Sequence, residues 1–270
     1  MGTENRVVLE RSEKVDQLDG KEIPKLKKTE SVISLLSEEE SIAPIYDGFK
    51  RFIFTNIIQE LQTVTVDSPE EIVLIPISLM EFKERMIHQP AVLKAYFLRE
   101  FYLDEFNQIK GVFTDIFPFV KDIKINVTTN RKISREYVYS FNIKENNEWI
   151  PQSQMSFGLF RTLNHLIELS LAPQESVIVI DDFENGLGIN CMPELTDFIM
   201  SKAPYLQFLL TSHHPYIISK IPSKTWKLVK RKGGHVSVIN AIDIPQLQTG
   251  SRRNKFIQLV NLPEYEDGIL

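Results

Sequence analysis

The chain has 270 residues, of which 43% are hydrophobic and 25% charged, with a formal net charge of −5. That is a globular composition with room for one large domain or for one domain with an insertion, and it excludes a surface that coats nucleic acid everywhere, though not a local basic patch. The single cysteine, Cys191, cannot form an internal disulfide or a zinc cluster. No apolar run approaches the ~20 residues that span a bilayer, and the charged, apolar-poor stretch 1–28 is not a signal peptide. A soluble protein of the reducing cytoplasm is therefore expected, with no membrane partner.

In chain order, Arg6-Val7-Val8-Leu9-Glu10 reads as an edge strand, with Asp19-Gly20 as a turn before another short strand. Helical spacing follows from Ser31 to Leu36 and again from Ile45 to Leu61, where Phe49, Phe52, Ile53, Ile57 and Leu61 mark one face. After a break at Asp67-Ser68-Pro69, the stretch Ile72 to Leu79 is open between two readings. Its apolar run favours a strand, and Pro76 argues against a central one. Residues 80–120 form the longest helical region, interrupted at Pro90, with an aromatic stripe through Tyr96, Phe106, Phe113 and Phe117 that reads as core packing. Beyond Pro118 the period becomes two. Ile123, Ile125 and Val127, then Tyr137, Tyr139, Phe141 and Ile143, predict a β-hairpin, and Glu145-Asn146-Asn147 is a turn.

From Trp149 the pattern is α/β. A helix (160–171) leads to the apolar strand Val177-Ile178-Val179-Ile180, and a second helix (193–202) leads to a strand at 206–210. A third helix begins near Pro215, and strands 226–229 and 236–239 flank Gly233-Gly234 as a hairpin. Short apolar strands alternating with helices predict a buried, mainly parallel sheet.

Three segments in this part carry chemistry. Asp181 and Asp182 stand where the first strand emerges at the carboxyl edge, the side on which open α/β sheets bind ligands. One carboxylate there can hold Mg²⁺ and a second can orient or deprotonate water, with Glu184 as a further candidate base. Thr211-Ser212-His213-His214-Pro215-Tyr216 ends the next strand, and a neutral imidazole at His213 can bond a terminal phosphate and an attacking water together. Met155-Ser156-Phe157-Gly158 opens a helix, where the Ser156 hydroxyl and the free N–H groups at Gly158 suit an anion.

In this order the segments resemble the ABC-type ATPase heads of the SMC/RecF/OLD-like group, among them the bacterial ABC-like ATPases called AAA-family. Met155-Ser156-Phe157-Gly158 is similar to the signature motif, Val177 to Asp182 to Walker B, Asn185 to Gly188 to the D-loop, and 211–216 to the switch region. The resemblance implies ATP and Mg²⁺ as cofactors, with Asp181 assisting the metal, Asp182 as the catalytic carboxylate and His213 sensing the γ-phosphate. Ser156 and Gly158 would contact ATP across a dimer. It implies a domain order too. Residues 1–66 are a remainder of the head lobe, and 67–148 are a helical arm with a β-hairpin insertion. The signature, Walker B and switch lobe is 149–240, and 241–270 is a tail.

The sequence departs from that family in three places. Gly-x-x-x-x-Gly-Lys-Ser/Thr occurs nowhere; the nearest dipeptide, Gly20-Lys21, has Val15 and Glu22 where glycine and a hydroxyl belong. Asp182 stands where glutamate is usual, and Gly188 where the D-loop has aspartate. The expected protein is thus a partial ABC head, an ATPase only if a P-loop-bearing polypeptide or second head completes it. It would act as an ATP-driven clamp or sensor in a DNA-directed system, with antiphage defence as the leading setting. A non-hydrolysing scaffold and a DNA-repair ATPase fragment are the alternatives. Lys230-Arg231-Lys232 and Arg252-Arg253-Asn254-Lys255 could touch a nucleic-acid backbone, with a solvated face as the other reading.

Overall fold

A computed structural model describes residues 8–11, 16–25, 29, 31–55, 64–66, 78–129, 137–248 and 252–262. The expectations for 67–77, for Ile57 and Leu61, and for the Arg6-Val7 start of the first strand lie outside the described residues. The chain forms two compact units, residues 1–53 and 54–270.

In the first unit, strands β1 (Leu9–Arg11), β2 (Asp16–Leu18) and β3 (Lys21–Ile23) make an antiparallel meander. Its second hairpin turns on Asp19 and Gly20, both at positive φ (49° and 76°), the geometry that matches strand twist in a two-residue loop. Helices α1 (Val32–Leu35) and α2 (Ala43–Lys50) follow. The helix expected to run to Leu61 ends at Lys50, and Phe52–Phe54 is a strand, β4. The apolar residues there fit either period. Just past β4, in the second unit, Thr55 N–H donates to Val179 O at 3.0 Å.

The second unit begins its described helices with α3 (Leu79–Met86), capped by the Ser78 hydroxyl, which accepts from Glu81 N–H at 3.1 Å in a Ser-x-x-Glu frame. Pro90 separates it from α4 (Ala91–Phe101), and α5 (Leu103–Ile116) buries Phe106, Ile109 and Phe113. Strands β6 (Val120–Thr129) and β7 (Tyr137–Glu145) pair with Ile123 opposite Ile143 and Ile125 opposite Phe141. Asn146 and Asn147, at φ 45° and 67°, turn β7 into β8 (Glu148–Pro151). β5 (Val64–Val66) joins the same edge of β7 nearer its start. One face of this sheet, with Ile123, Ile125, Tyr139, Phe141 and Ile143, is buried.

Helix α6 (Phe157–Leu171) runs to β9 (Val177–Ile180), and α7 (Met192–Lys202) runs to β10 (Gln207–Leu210). β9 and β10 are parallel, Val179 standing opposite Leu209. Ile178 and Ile180 are wholly buried, as expected of a buried sheet, while Leu209 on β10 is 54% exposed. Lys94 of α4, 1% exposed, pairs with Glu168 of α6 and donates to Ile87 O at 3.0 Å, tying the helical region to the α/β part. After α8 (Pro215–Lys220), the hairpin β11 (Lys227–Lys232) and β12 (His235–Asn240) and helix α9 (Arg252–Val260) enclose a small core of Ala241, Ile244, Leu247, Leu259 and Leu262. No described helix is long and apolar enough to cross a membrane.

Candidate functional site

The ends of β9 and β10 are joined by one side chain. Thr211 Oγ1 donates to Asp181 Oδ1 and accepts from Asp182 N–H at 2.8 Å. Backbone bonds from Thr211 N–H to Ile180 O and from Phe183 N–H to Thr211 O, each 3.0 Å, extend the ladder past both strands. The chain then turns at Asp182, whose φ of 45° is uncommon for a residue with a side chain and costs about 1–2 kcal/mol. Both aspartates are exposed at this edge.

The Asp182 turn is held from behind. Its carbonyl accepts from Asn185 N–H at 2.8 Å and from the Arg161 guanidinium of α6 at 3.1 Å. Arg161 is 2% exposed, and its Nε donates to His165 Nε2 at 3.3 Å. Burial pulls the Arg161 pKa down, opposed by the charges of Asp182 and Glu184. Burial, with Arg161 second, depresses His165 to about 3, so its imidazole is neutral and able to accept. The Asp182 turn is thereby fastened to the helix that the signature-like segment opens.

Glu184 reaches the other way. Its Oε1 accepts from His213 N–H at 2.6 Å, which fixes the backbone of the switch-like segment from 29 residues away. Oε2 is buried with no hydrogen bond of ordinary geometry. Burial raises the Glu184 pKa, but the Ser212 hydroxyl and the His213 N–H outweigh it and hold the carboxyl below its usual value. Glu184 is therefore bound into structure while Asp182 presents its carboxylate to solvent. The two histidines divide as well. His214 caps α8, its Nδ1 accepting from Tyr216 N–H at 3.3 Å, and the His213 side chain is exposed.

Ser156 is the N-cap of α6, its hydroxyl accepting from Leu159 N–H at 3.3 Å. The cap occupies the oxygen as acceptor and leaves its O–H and the first N–H groups of the helix to meet an anion. A Cβ on Gly158 would lie 3.1 Å from Gly186 O and 3.5 Å from Gly188 N, so the helix start packs directly on the D-loop-like segment. On Gly186 (φ 73°) a Cβ would meet the Phe157 ring at 2.1 Å, and on Gly188 it would meet Asn190 Oδ1 at 2.5 Å. An aspartate at 188 would have to displace the Asn190 side chain.

The structure thus brings the Asp181-Asp182 turn, Glu184, His213 and Gly158 into one connected set, with Ser156 beginning its helix. Thr211, Arg161 and His165 belong to that set as well, and the sequence pattern by itself marks no role for them. The visible signal was an Arg–His pair at i,i+4 inside an apolar helix. Among the described residues no three His, Cys, Asp or Glu side chains gather as a metal site. The exposed Asp181 carboxylate fits Mg²⁺, which takes one or two protein carboxylates and leaves its other positions to water and phosphate.

Such an edge, on a parallel sheet with helices between its strands, is the side on which open α/β domains bind their ligands. The chain belongs to the family described as "AAA domain, putative AbiEii toxin, Type IV TA system", whose model matches residues 25–219. No curated protein matches it. Among solved structures it is similar to an SMC ATPase described for ATP-driven dimerization and DNA-stimulated activation, at 12% identity and TM-score 0.41, over 58% of this chain and 99% of that one. It is similar also to an Smc head bound to the C-winged helix domain of ScpA, at 13% identity and TM-score 0.47, over 83% of this chain and 63% of that one. A third is an Smc head with coiled coil and joint derived from Pyrococcus yayanosii, at 13% identity and TM-score 0.40, over 55% of this chain and 30% of that one.

Proposed function

We propose that this chain is the signature, Walker B and switch part of an ATP-hydrolysing head whose phosphate-binding loop comes from another polypeptide. The observation that carries the reading is the Thr211 link, which sets the Asp181-Asp182 carboxylates and the His213 segment side by side at one sheet edge. In this reading Mg²⁺ supplies charge neutralisation at the phosphates, and Asp181 is the residue that would hold it. Asp182 accepts a proton from, or orients, the attacking water, with Arg161 fixing its turn; Glu184 keeps the His213 backbone in place. Ser156 and the N–H groups at Gly158 meet a terminal phosphate from a facing head. Asp182 is one methylene shorter than glutamate, which favours slow turnover.

The cellular role we propose is an ATP-driven clamp or sensor in a DNA-directed system of bacterial antiphage defence. The family description, which names an AbiEii toxin and a Type IV TA system, supports that setting. The competing reading is a scaffold that never hydrolyses ATP. The missing P-loop pattern, Asp182 and Gly188 favour it.

Native mass spectrometry of the chain purified from its host with ATP and Mg²⁺ separates the two. A partner bearing Gly-x-x-x-x-Gly-Lys, with nucleotide retained, is expected; a bare monomer or homodimer without nucleotide overturns the split-head reading. In the complex, Asp182→Asn and His213→Ala should each abolish turnover while leaving the fold intact. Rates equal to wild type in both would remove the catalytic assignment.

A further inference from the structure

The antiparallel sheet of the second unit packs one face on the helices and turns the other outward, and the outward face is not an ordinary solvated one. Lys124 of β6 alternates with the buried Ile123 and Ile125, and Asn142 and Lys144 of β7 alternate with the buried Phe141 and Ile143, so all three point to the outer side. Trp149 of β8 stands directly opposite Lys144, and Lys124 directly opposite Asn142. Lys124 reaches across β7 to place its Nζ 4.1 Å from the centre of the Trp149 ring, and Lys144 Nζ is 6.0 Å from it.

Trp149 keeps 36% of its surface exposed, a large aromatic face on a sheet with two ammonium groups beside it. The same-face carboxylate, Asp122, stands opposite Lys144 but is paired with Lys110 of α5 at 3.0 Å rather than with Lys124 or Lys144. Neither Lys124 nor Lys144 forms an ion pair among the described residues. Asn142 adds a separate observation. It is only 6% exposed, yet its Oδ1 has no hydrogen-bond partner. A buried acceptor left unmade is costly, and folded chains keep few of them.

We infer that this face, centred on Trp149, Lys124 and Lys144, binds single-stranded nucleic acid. A base stacks on the indole in place of the Lys124 ammonium, as any base can, because each has a π-face. The displaced ammonium and Lys144 then pair with flanking phosphates. Asn142 Oδ1 supplies an acceptor for a base N–H once Lys124 has moved. Duplex DNA cannot present a base to the indole without unstacking it, so the single strand is preferred. The inference rests on the DNA-directed part of the proposed function for its setting and gives that part a surface. It uses none of the residues at the Asp181–His213 edge.

The test uses the full chain without ATP. Fluorescence anisotropy follows a labelled oligothymidine of about fifteen nucleotides, within the span such sheets cover, and the same length as a thymidine–adenosine duplex. The single strand should bind the more tightly and quench the fluorescence of Trp149, read in a Trp226→Phe background because the chain has 2 tryptophans. Trp149→Ala should weaken binding roughly ten- to a hundredfold, with Trp149→Phe recovering part of it. Lys124→Ala with Lys144→Ala should lower the log–log salt slope by about 1.4, two phosphates at ~0.7 each. Trp149 is at the surface, so its variants keep the fold, which circular dichroism checks. No binding of the single strand, tighter binding of the duplex, or affinity indifferent to Trp149→Ala and to the double lysine variant overturns the inference. Because nucleotide retention is measured separately, its failure leaves the split-head reading standing, and the reverse holds.

Discussion

Replacing Gly186 by alanine probes whether the signature-like helix really rests on the loop after Asp182. Gly186 has φ 73°, where a side chain costs about 1–2 kcal/mol through its own backbone. Its Cβ would stand 2.1 Å from Phe157 Cδ1 and 2.2 Å from Cε1, well inside van der Waals contact, so the ring has to leave its place. Forced repacking of that kind adds about 1–3 kcal/mol. Gly186→Ala is therefore expected to destabilise by roughly 2–5 kcal/mol, of which only the backbone part should survive in a Phe157→Ala background. Urea unfolding of wild type, both single variants and the double variant measures the coupling, expected at about 1–3 kcal/mol. In thermal scans the single variant should melt lower by ~2–4 °C per kcal/mol. An equal cost of Gly186→Ala in both backgrounds would refute the contact, and with it the packing of the α6 start on the D-loop-like segment.

Other consequences follow from buried polar groups. His165 has a folded pKa near 3 against 6.5 unfolded, so between those values the unfolded chain binds the extra proton and stability falls as pH drops from 6.5 towards 3. A His165→Gln variant should show a flatter urea-midpoint profile across that window, and an unchanged profile would count against a buried neutral imidazole. Arg161→Met leaves Asp182 O and His165 Nε2 without their donor and should cost about 2–4 kcal/mol in unfolding experiments; a neutral result would mean the turn stands without the clamp. Lys94→Met strands the buried Glu168 carboxyl and should cost about 3–5 kcal/mol, whereas Lys94→Met with Glu168→Leu should be close to neutral. Additive losses in that pair would contradict a buried ion pair. The Tyr139 hydroxyl, pushed up to about 12 by burial, makes stability fall as pH rises from 10 to 12, which a Tyr139→Phe variant should relieve in alkaline unfolding.

Much of this protein is legible in the order of its residues. The alternation in 123–127 and 137–143, the Asn146-Asn147 turn, the apolar run before Asp181-Asp182 and the serine opening α6 each depend on forces acting within a few residues. Strand period, turn chemistry and capping are therefore written locally. The sequence alone also placed two carboxylates and a histidine at strand ends.

What it could not decide is which side chains meet across the fold. Phe52-Ile53-Phe54 suits a helix face as well as a strand, and only the folded chain shows it as a strand. Arg161 and His165 look like misplaced polar residues on an apolar helix until the Asp182 carbonyl arrives from another segment. Glu184 reads as a candidate base, and only the fold shows its oxygen spent on the His213 backbone. Gly158 and Gly186 are small because two segments touch there, and Thr211 is a hydroxyl because it must bond Asp181 and Asp182 at once. Local pattern fixes an element and the face it buries. Partners brought together by packing depend on the geometry of the whole, since hydrogen bonds and close contacts act only over a few ångströms once distant segments have been assembled.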